Sequence, residues 1–424
     1  MSTRGVGAVL LVLIALMAIP RIIGPSWRVI AMPNQMRLIE GHLVQWESET
    51  MFRAMKAMVT DLPVAEIYPP TFAFSTDEYR AILPIFTAAV LTNALGSFYW
   101  GSMMADLLWW WGGAMATVAL LGRIGTPRGV AVTAGVFAAT SPLGVAYVGS
   151  GNLHAASSLC LPIYSLLIWD ALMAGRREPV SGGIRIGVFL LAASLTYTYQ
   201  WVLIPAFGLW LAIGHRCMSR AFALLLGVTV FGGLTFVVRQ FLVFVGLTVT
   251  AHINDPLVVL FGRAGIEDES SARVGIALAT AVELVKHWAG QVPSVLVDTM
   301  WSYHPLMIAL AVLGFASGSW QLRCWVVITS LIALAQGLIY SVPWVTMTAF
   351  PFVYGCAALG VRAVAGWGIR GWLTGEAPGS PLVRKAGSAV AVGVIIVMIL
   401  ATNIDLVGID WYVVKWWGFW YVPH

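Results

Sequence analysis

The sequence predicts an all-α membrane protein, a polytopic bundle of about eleven transmembrane helices with two long loops on one side. Three observations carry this. Of 424 residues, 59% are hydrophobic and only 10% charged, whereas soluble domains carry about 25% charged residues. Mean hydropathy is +0.84, and a chain of this length cannot hide that much apolar surface from water, so lipid is its solvent. The apolar runs are continuous over about 20 residues, the length of a helical span, and do not alternate as barrel strands do.

The first span covers about 6–23 behind Arg4. It lacks a small-residue cleavage site and runs into Pro20-Arg21, so it is read as a retained helix. Residues 26–81 are long, aromatic and charged. Residues 82–96 are apolar but short: fifteen residues rise about 22 Å, less than a hydrocarbon core of about 30 Å. Spans follow at about 99–121, 129–148 and 155–174. Residues 184–214 read as a hairpin of two spans around Thr196-Tyr197-Thr198-Tyr199-Gln200. The next span, about 221–247, has Arg239 and Gln240 deep within it. After a second long polar segment at 248–304, spans at about 305–318, 325–342, 344–361 and 386–404 precede a Trp-rich tail.

Charge tests the count. The loops at 122–128, 175–185, 215–220, 319–324 and 362–385 are short and basic, as cytoplasmic loops are. They share a side with the N-terminus only if 82–96 does not cross and is a juxtamembrane or re-entrant helix. The N-terminus is then cytoplasmic. The loops 26–98 and 248–304 and the C-terminus are extracytoplasmic, at a prokaryotic plasma membrane. The chain reads as a single membrane domain, 1–424. Its net charge of +5 is scattered through those loops as topology signals, which argues against nucleic acid as a partner. Cys160, Cys217, Cys324 and Cys356 lie in or beside spans without a CxxC pair and read as small core residues. Trp109 to Trp111, and Trp411, Tyr412, Trp416, Trp417, Trp420 and Tyr421 in the tail, read as interfacial belts.

Three stretches then resemble a known family. Trp46-Glu47-Ser48-Glu49-Thr50-Met51-Phe52-Arg53-Ala54 looks like an Asp-Glu pair followed by aromatics and Ala. Glu78-Tyr79-Arg80-Ala81-Ile82-Leu83-Pro84-Ile85 is similar to an Arg-Pro-Leu-x-Pro-Leu run. Thr140-Ser141-Pro142-Leu143 through Asn152-Leu153-His154 looks like Ser-Pro-Leu followed by Thr-Asp-Ala. With the layout of one span, a large outer loop, a juxtamembrane helix and a multi-span bundle, this resembles the GT-C superfamily, which includes the dolichyl-phosphate-mannose mannosyltransferases. The resemblance implies hexosyl or pentosyl transfer from a lipid-linked sugar, with membrane lipid as the surroundings. Ser48 stands where the family carries Asp in the first pair, and Asn152 and His154 stand where it carries Asp in the second loop.

Sugar transfer needs a base for the acceptor hydroxyl and positive charge for the departing phosphate. Glu49 or Glu47 would supply the base; their spacing of two keeps them off one helix face, so at most one points into a site. Arg80, Arg239 and Arg263 are the cations for a phosphate, with Asn152 and His154 as further substrate contacts. Capping by Ser150 or Asn152 would explain the second loop equally well, and snorkelling would explain Arg239. Glu267-Asp268-Glu269 suits a helix N-terminus. His252, Asp255, His287 and His304 match no metal-site spacing. A divalent metal is compatible with the resemblance but has no motif behind it, so the cofactor is left open. No phosphate loop, dinucleotide fingerprint or nucleophile elbow occurs. Two other classes compete: a non-catalytic GT-C-like subunit or lipid-binding scaffold beside partner membrane subunits, and a transporter, which would carry repeats and mid-span charges.

Overall fold

The computed structural model describes residues 2–23, 36–39, 42–45, 82–141, 159–196, 202–214, 217–244, 305–340 and 349–374, and the isolated positions 144, 286, 289, 290, 292, 293, 303, 389 and 393. Among these the chain is helical apart from one hairpin. In order, the elements are α1 (Thr3–Ile23), β1 (Met36–Ile39), β2 (His42–Gln45), α2 (Ile82–Leu95), α3 (Phe98–Arg123), α4 (Arg128–Ala139), α5 (Leu161–Ala174), α6 (Pro179–Thr196), α7 (Leu203–Gly214), α8 (Met218–Phe244), α9 (Pro305–Ser317), α10 (Trp320–Tyr340) and α11 (Phe350–Thr374). The helical class is as expected, with one short hairpin in addition to the helices: β1 pairs antiparallel with β2, Met36 opposite Gln45 and Ile39 opposite His42. They are four residues each, too short for the alternation of a strand to stand out in a sequence read for spans.

Three stretches are long and apolar enough to cross a membrane: Tyr99–Arg123, Pro179–Thr196 and Met218–Val238. The other apolar stretches searched are shorter, at 10–17 residues. Among the described residues the eleven-span count is therefore narrowed to a helical bundle with three spanning helices by length, and the expected span at 386–404 lies outside them except at positions 389 and 393.

Helix ends follow local chemistry. Gly96, at φ +65°, ends α2, and the Ser97 hydroxyl accepts the Trp100 N–H to open α3. Gly125, at φ +86°, turns the chain after α3, and the Thr126 N–H donates to the Leu121 carbonyl at 2.9 Å. α4 ends at Ala139, where the sequence predicts a span to about 148. The Thr140 hydroxyl donates back to the Val136 carbonyl at 3.0 Å, and Ser141 precedes Pro142, which disfavours helix in the residue before it. α11 runs through Thr374, so 362–374 is helix where a basic loop was expected.

α2 folds back along α3 as a two-helix hairpin. The backbone of Thr92 lies against Gly101 so closely that any side chain at 101 would collide with it. Fourteen residues rise about 21 Å beside the roughly 39 Å of α3. α2 has no charged residue and no polar stripe, which an interfacial helix needs to lie flat.

α6 and α8 run parallel. A Cβ on Gly183 would lie 2.9 Å from Leu226, one on Gly187 2.5 Å from Val230, and one on Gly227 2.5 Å from Ile186. Gly183 and Gly187 on α6 thus face Ala223 and Gly227 on α8, a small-xxx-small contact on both helices. Parallel running requires α7 to return the chain to its starting end, as the hairpin reading of 184–214 expects. On the far side, Gly314 of α9 and Gly360 of α11 let two backbones touch: a Cβ on either would overlap a carbonyl of the other helix.

Arg123 at the end of α3 pairs with Asp170 near the end of α5 at 3.2 Å. Proximity along the chain would favour Arg176 or Arg177 as the partner of Asp170, but α3 and α5 end side by side and Arg123 takes it. Gly175 meets Ala223 at the start of α8, and Gly214 meets Trp320 at the start of α10. The turns after α3, α5, α7 and α9 therefore collect at one end of the bundle, with Arg128, Arg176, Arg177, Arg220 and Arg323.

Candidate functional site

The residues that sequence chemistry selects fall mostly where nothing is described. Glu47, Glu49, Arg80, Asn152, His154 and Arg263 lie outside the described residues, as do the four histidine and aspartate positions weighed for a metal. What is described is the frame around them. Glu47 and Glu49 follow β2, which ends at Gln45; Arg80 precedes α2, which starts at Ile82. Asn152 and His154 fall between Ser141 and Leu159. Both of those flanking residues are buried, and the Leu159 carbonyl sits against Gly113 of α3, where a Cβ would overlap it. Two of the quoted stretches, 78–85 and 140–154, thus adjoin the α2–α3 hairpin or a helix packed on it.

Arg239 is the one candidate within a described helix, at position 22 of α8. Helical register sets it in line with Ala221 and Gly232, which are exposed, and opposite Ala223 and Gly227, which are buried against α6. It stands on the face of α8 turned away from α6. The first-loop candidates lie outside the described residues and are not placed relative to that face.

The tryptophan triplet is corrected. Trp110 is 1% exposed and donates its indole N–H to the Ala138 carbonyl of α4 at 2.7 Å. Trp111 donates to the Gly7 carbonyl of α1 at 3.0 Å. They sit halfway along α3 and tie three helices together; in an apolar medium the indole N–H needs an acceptor, and helix carbonyls supply it. A second aromatic group joins the helix ends near Asp170: Trp325 stacks on Phe352 at 5.1 Å and on Trp210 at 5.9 Å, with Trp169 4.8 Å from Trp210.

Sequence reasoning missed two features. One is the glycine ladder of α6 and α8, legible as Gly183-Ile184-Arg185-Ile186-Gly187. The other is a hydrogen bond between the Tyr164 and Thr196 hydroxyls, with Thr196 also donating to the Ala192 carbonyl at 2.9 Å. It fixes the end of α6 where the polar Tyr197-Thr198-Tyr199-Gln200 begins. No signal for it exists in the sequence, because Tyr164 and Thr196 belong to different helices.

Of the cysteines, Cys160, Cys324 and Cys356 are buried as expected, and Cys217 stands half-buried in the turn before α8. Its thiol is held below the ordinary range, first by the Arg220 backbone N–H and then by the Arg220 and Arg176 charges, with burial opposing. Among the described residues no cluster of His, Cys, Asp or Glu could hold a metal. No protein-family model matches the chain, and no curated protein matches it.

Proposed function

We propose that the chain is a GT-C-like glycosyltransferase that moves a sugar from a polyprenyl-phosphate donor on the extracytoplasmic face of the membrane. One observation carries the reading: a charged segment of more than fifty residues opens, through an apolar helix too short to cross, directly into the α2–α3 hairpin. In this reading the bundle has about eleven spans, the N-terminus is cytoplasmic, and the basic end of the bundle faces the cytoplasm. Glu49 or Glu47 takes the proton from the acceptor hydroxyl. The hydroxyl oxygen then bonds to the sugar C1 as the bond from C1 to the phosphate oxygen breaks. Arg80 and Arg263 neutralise the leaving lipid phosphate, and Asn152 and His154 hydrogen-bond the sugar.

The test is sugar transfer from polyprenyl-phosphate donors in membranes holding Glu49→Gln, Glu47→Gln or both. The expected result is a loss of about a hundredfold or more for one of the two; full activity in the double variant removes both from the site. A second reading rests on Ser48, Asn152 and His154 standing where the family has Asp: a non-catalytic subunit or lipid-binding scaffold. Absence of transfer by the unaltered protein with every donor, together with retained binding of polyprenyl phosphate, favours it.

A further inference from the structure

α6 carries an arginine inside its apolar stretch. Pro179–Thr196 is long and apolar enough to cross a membrane, and Arg185 lies about 9 Å along it from Pro179. Packing fixes which side of α6 this is. Gly182 meets Ala171 and Gly175 of α5, and Gly183 and Gly187 meet Leu226 and Val230 of α8. Ile186 and Leu190, on that packed side, are buried. On the opposite side Ser181, Ile184, Arg185 and Val188 follow the i, i+3, i+4, i+7 spacing of a single face. Ile184, Arg185 and Val188 are exposed, and Ser181 is part-buried.

An arginine on such a face needs an anion, because an exposed charge beside lipid chains is costly. Among the described residues the protein does not give it one. Asp170 is taken by Arg123, and Asp106 stands toward the far end of α3. Glu178, in the turn before α6, pairs with neither Arg177 nor Arg185. Arg177 is itself exposed in that turn, four residues before Ser181. The Cα–Cβ bond of Arg185 tilts toward the start of its helix. Its long side chain therefore snorkels toward Ser181, Arg177 and the positive end of the α6 dipole. This is the level of lipid phosphates when Pro179–Thr196 spans a bilayer.

We infer that this face of α6 holds an acidic phospholipid, its phosphate between Arg185 and Arg177 beside the Ser181 hydroxyl and an acyl chain along Ile184 and Val188. Two guanidiniums against one carboxylate favour a headgroup of net negative charge over a zwitterionic one. Ile184 and Val188 offer a lipid contacts that free phosphate cannot make. The inference rests on the membrane reading of α6 and not on sugar transfer, so it holds for an enzyme and for a scaffold alike.

The test is intact-complex mass spectrometry of the full chain in detergent micelles, titrated with phosphatidylglycerol or phosphatidylcholine. The first phosphatidylglycerol is expected to bind about tenfold more tightly than phosphatidylcholine. Arg185→Gln should cut that preference about fivefold, Arg177→Gln should cut it less, and Arg185→Lys should keep most of it. Arg4→Gln removes the same charge from the start of α1 and should leave the preference intact. Phosphatidylglycerol should also raise the unfolding temperature of the unaltered chain more than that of Arg185→Gln. Equal binding of the two lipids overturns the inference, as does a preference that survives Arg185→Gln combined with Arg177→Gln. An equal loss in Arg4→Gln overturns it too, since net charge alone then attracts the lipid. Displacement of phosphatidylglycerol by an excess of inorganic phosphate makes this a site for a soluble anion and overturns the lipid. A lowered unfolding temperature of Arg185→Gln without added lipid also overturns it, because Arg185 then holds the protein's own structure.

Discussion

α3 and α8 are nearly equal in length, 26 and 27 residues, and both are apolar enough to cross a membrane. Of their most apolar stretches, 44% is buried in α3 and 11% in α8. The difference lies in where each carries its small residues. In α3, Gly101, Gly113, Ala114, Ala116 and Thr117 are spread around the helix and are buried, so neighbours approach from several sides: α2 at Gly101, Leu159 at Gly113 and α4 opposite Ala114. In α8 the buried small residues Ala223 and Gly227 form one stripe, and α6 takes it. The rest of the circumference is mostly Leu, Phe, Val and exposed glycine, with Thr229, Arg239 and Gln240 among them. With lipid as solvent, apolarity does not decide which helix is central; close backbone approach does.

The sharpest way to break this contrast is one methyl group. Gly113→Ala in α3 drives a Cβ into the Leu159 carbonyl, a backbone atom that cannot step aside. The expected cost is about 3 kcal/mol, read as a large fall in thermal unfolding temperature in detergent micelles. Gly232→Ala and Gly233→Ala in α8 meet nothing within 4 Å and should be neutral or stabilising by up to about 1 kcal/mol, the helix propensity of Ala over Gly. Equal losses at the two helices would mean that α8 is as enclosed as α3.

A smaller effect separates their aromatics. Trp110→Phe leaves the Ala138 carbonyl without the indole N–H and opens a gap among α3 and α4, an expected loss of about 2 kcal/mol. Phe241→Leu on the exposed side of α8 should stay within about 0.5 kcal/mol. Urea or thermal unfolding of both variants in one detergent gives the comparison directly.

The same contrast explains what the sequence discloses. Apolar runs bounded by Gly, Pro and Arg fix the helices, because each signal is local: Gly96-Ser97 between α2 and α3, Gly125 after α3, Pro179 opening α6. The short length of 82–96 likewise foretells α2. The reading of Trp109 to Trp111 as a belt fails because it used composition alone; the indole partners of Trp111 and Trp110 are Gly7 and Ala138, 104 and 28 positions away respectively. Asp170 pairs with Arg123 for the same reason, since proximity along the chain favours Arg176. The candidate site is legible only as residue types. Glu47, Glu49, Arg80, Asn152, His154 and Arg263 come from segments that the described helices flank but do not include, so their convergence is a proposal and not a reading.

The smallest effect concerns two thiols. Cys160 adjoins α3, its backbone nitrogen 3.7 Å from the place a Cβ on Gly113 would take, and it is fully buried. Cys217 opens α8 and is half-buried. A maleimide reagent should modify Cys217 first, with Cys160 reacting only after unfolding, as mass spectrometry of intact and digested protein will report. The thiolate is the reactive form. The Arg220 backbone N–H and the Arg220 and Arg176 charges favour that form at Cys217, so its rate should climb with pH from below the ordinary thiol range and level off early. Salt screens the two arginines but leaves the backbone hydrogen bond, so raising ionic strength should shift the curve upward only in part. Arg176→Gln should shift it upward less still, because its charge is the last and smallest of the causes. If Cys217 is instead as slow as Cys160, the start of α8 is enclosed, and the contrast between the two helices does not extend to their ends.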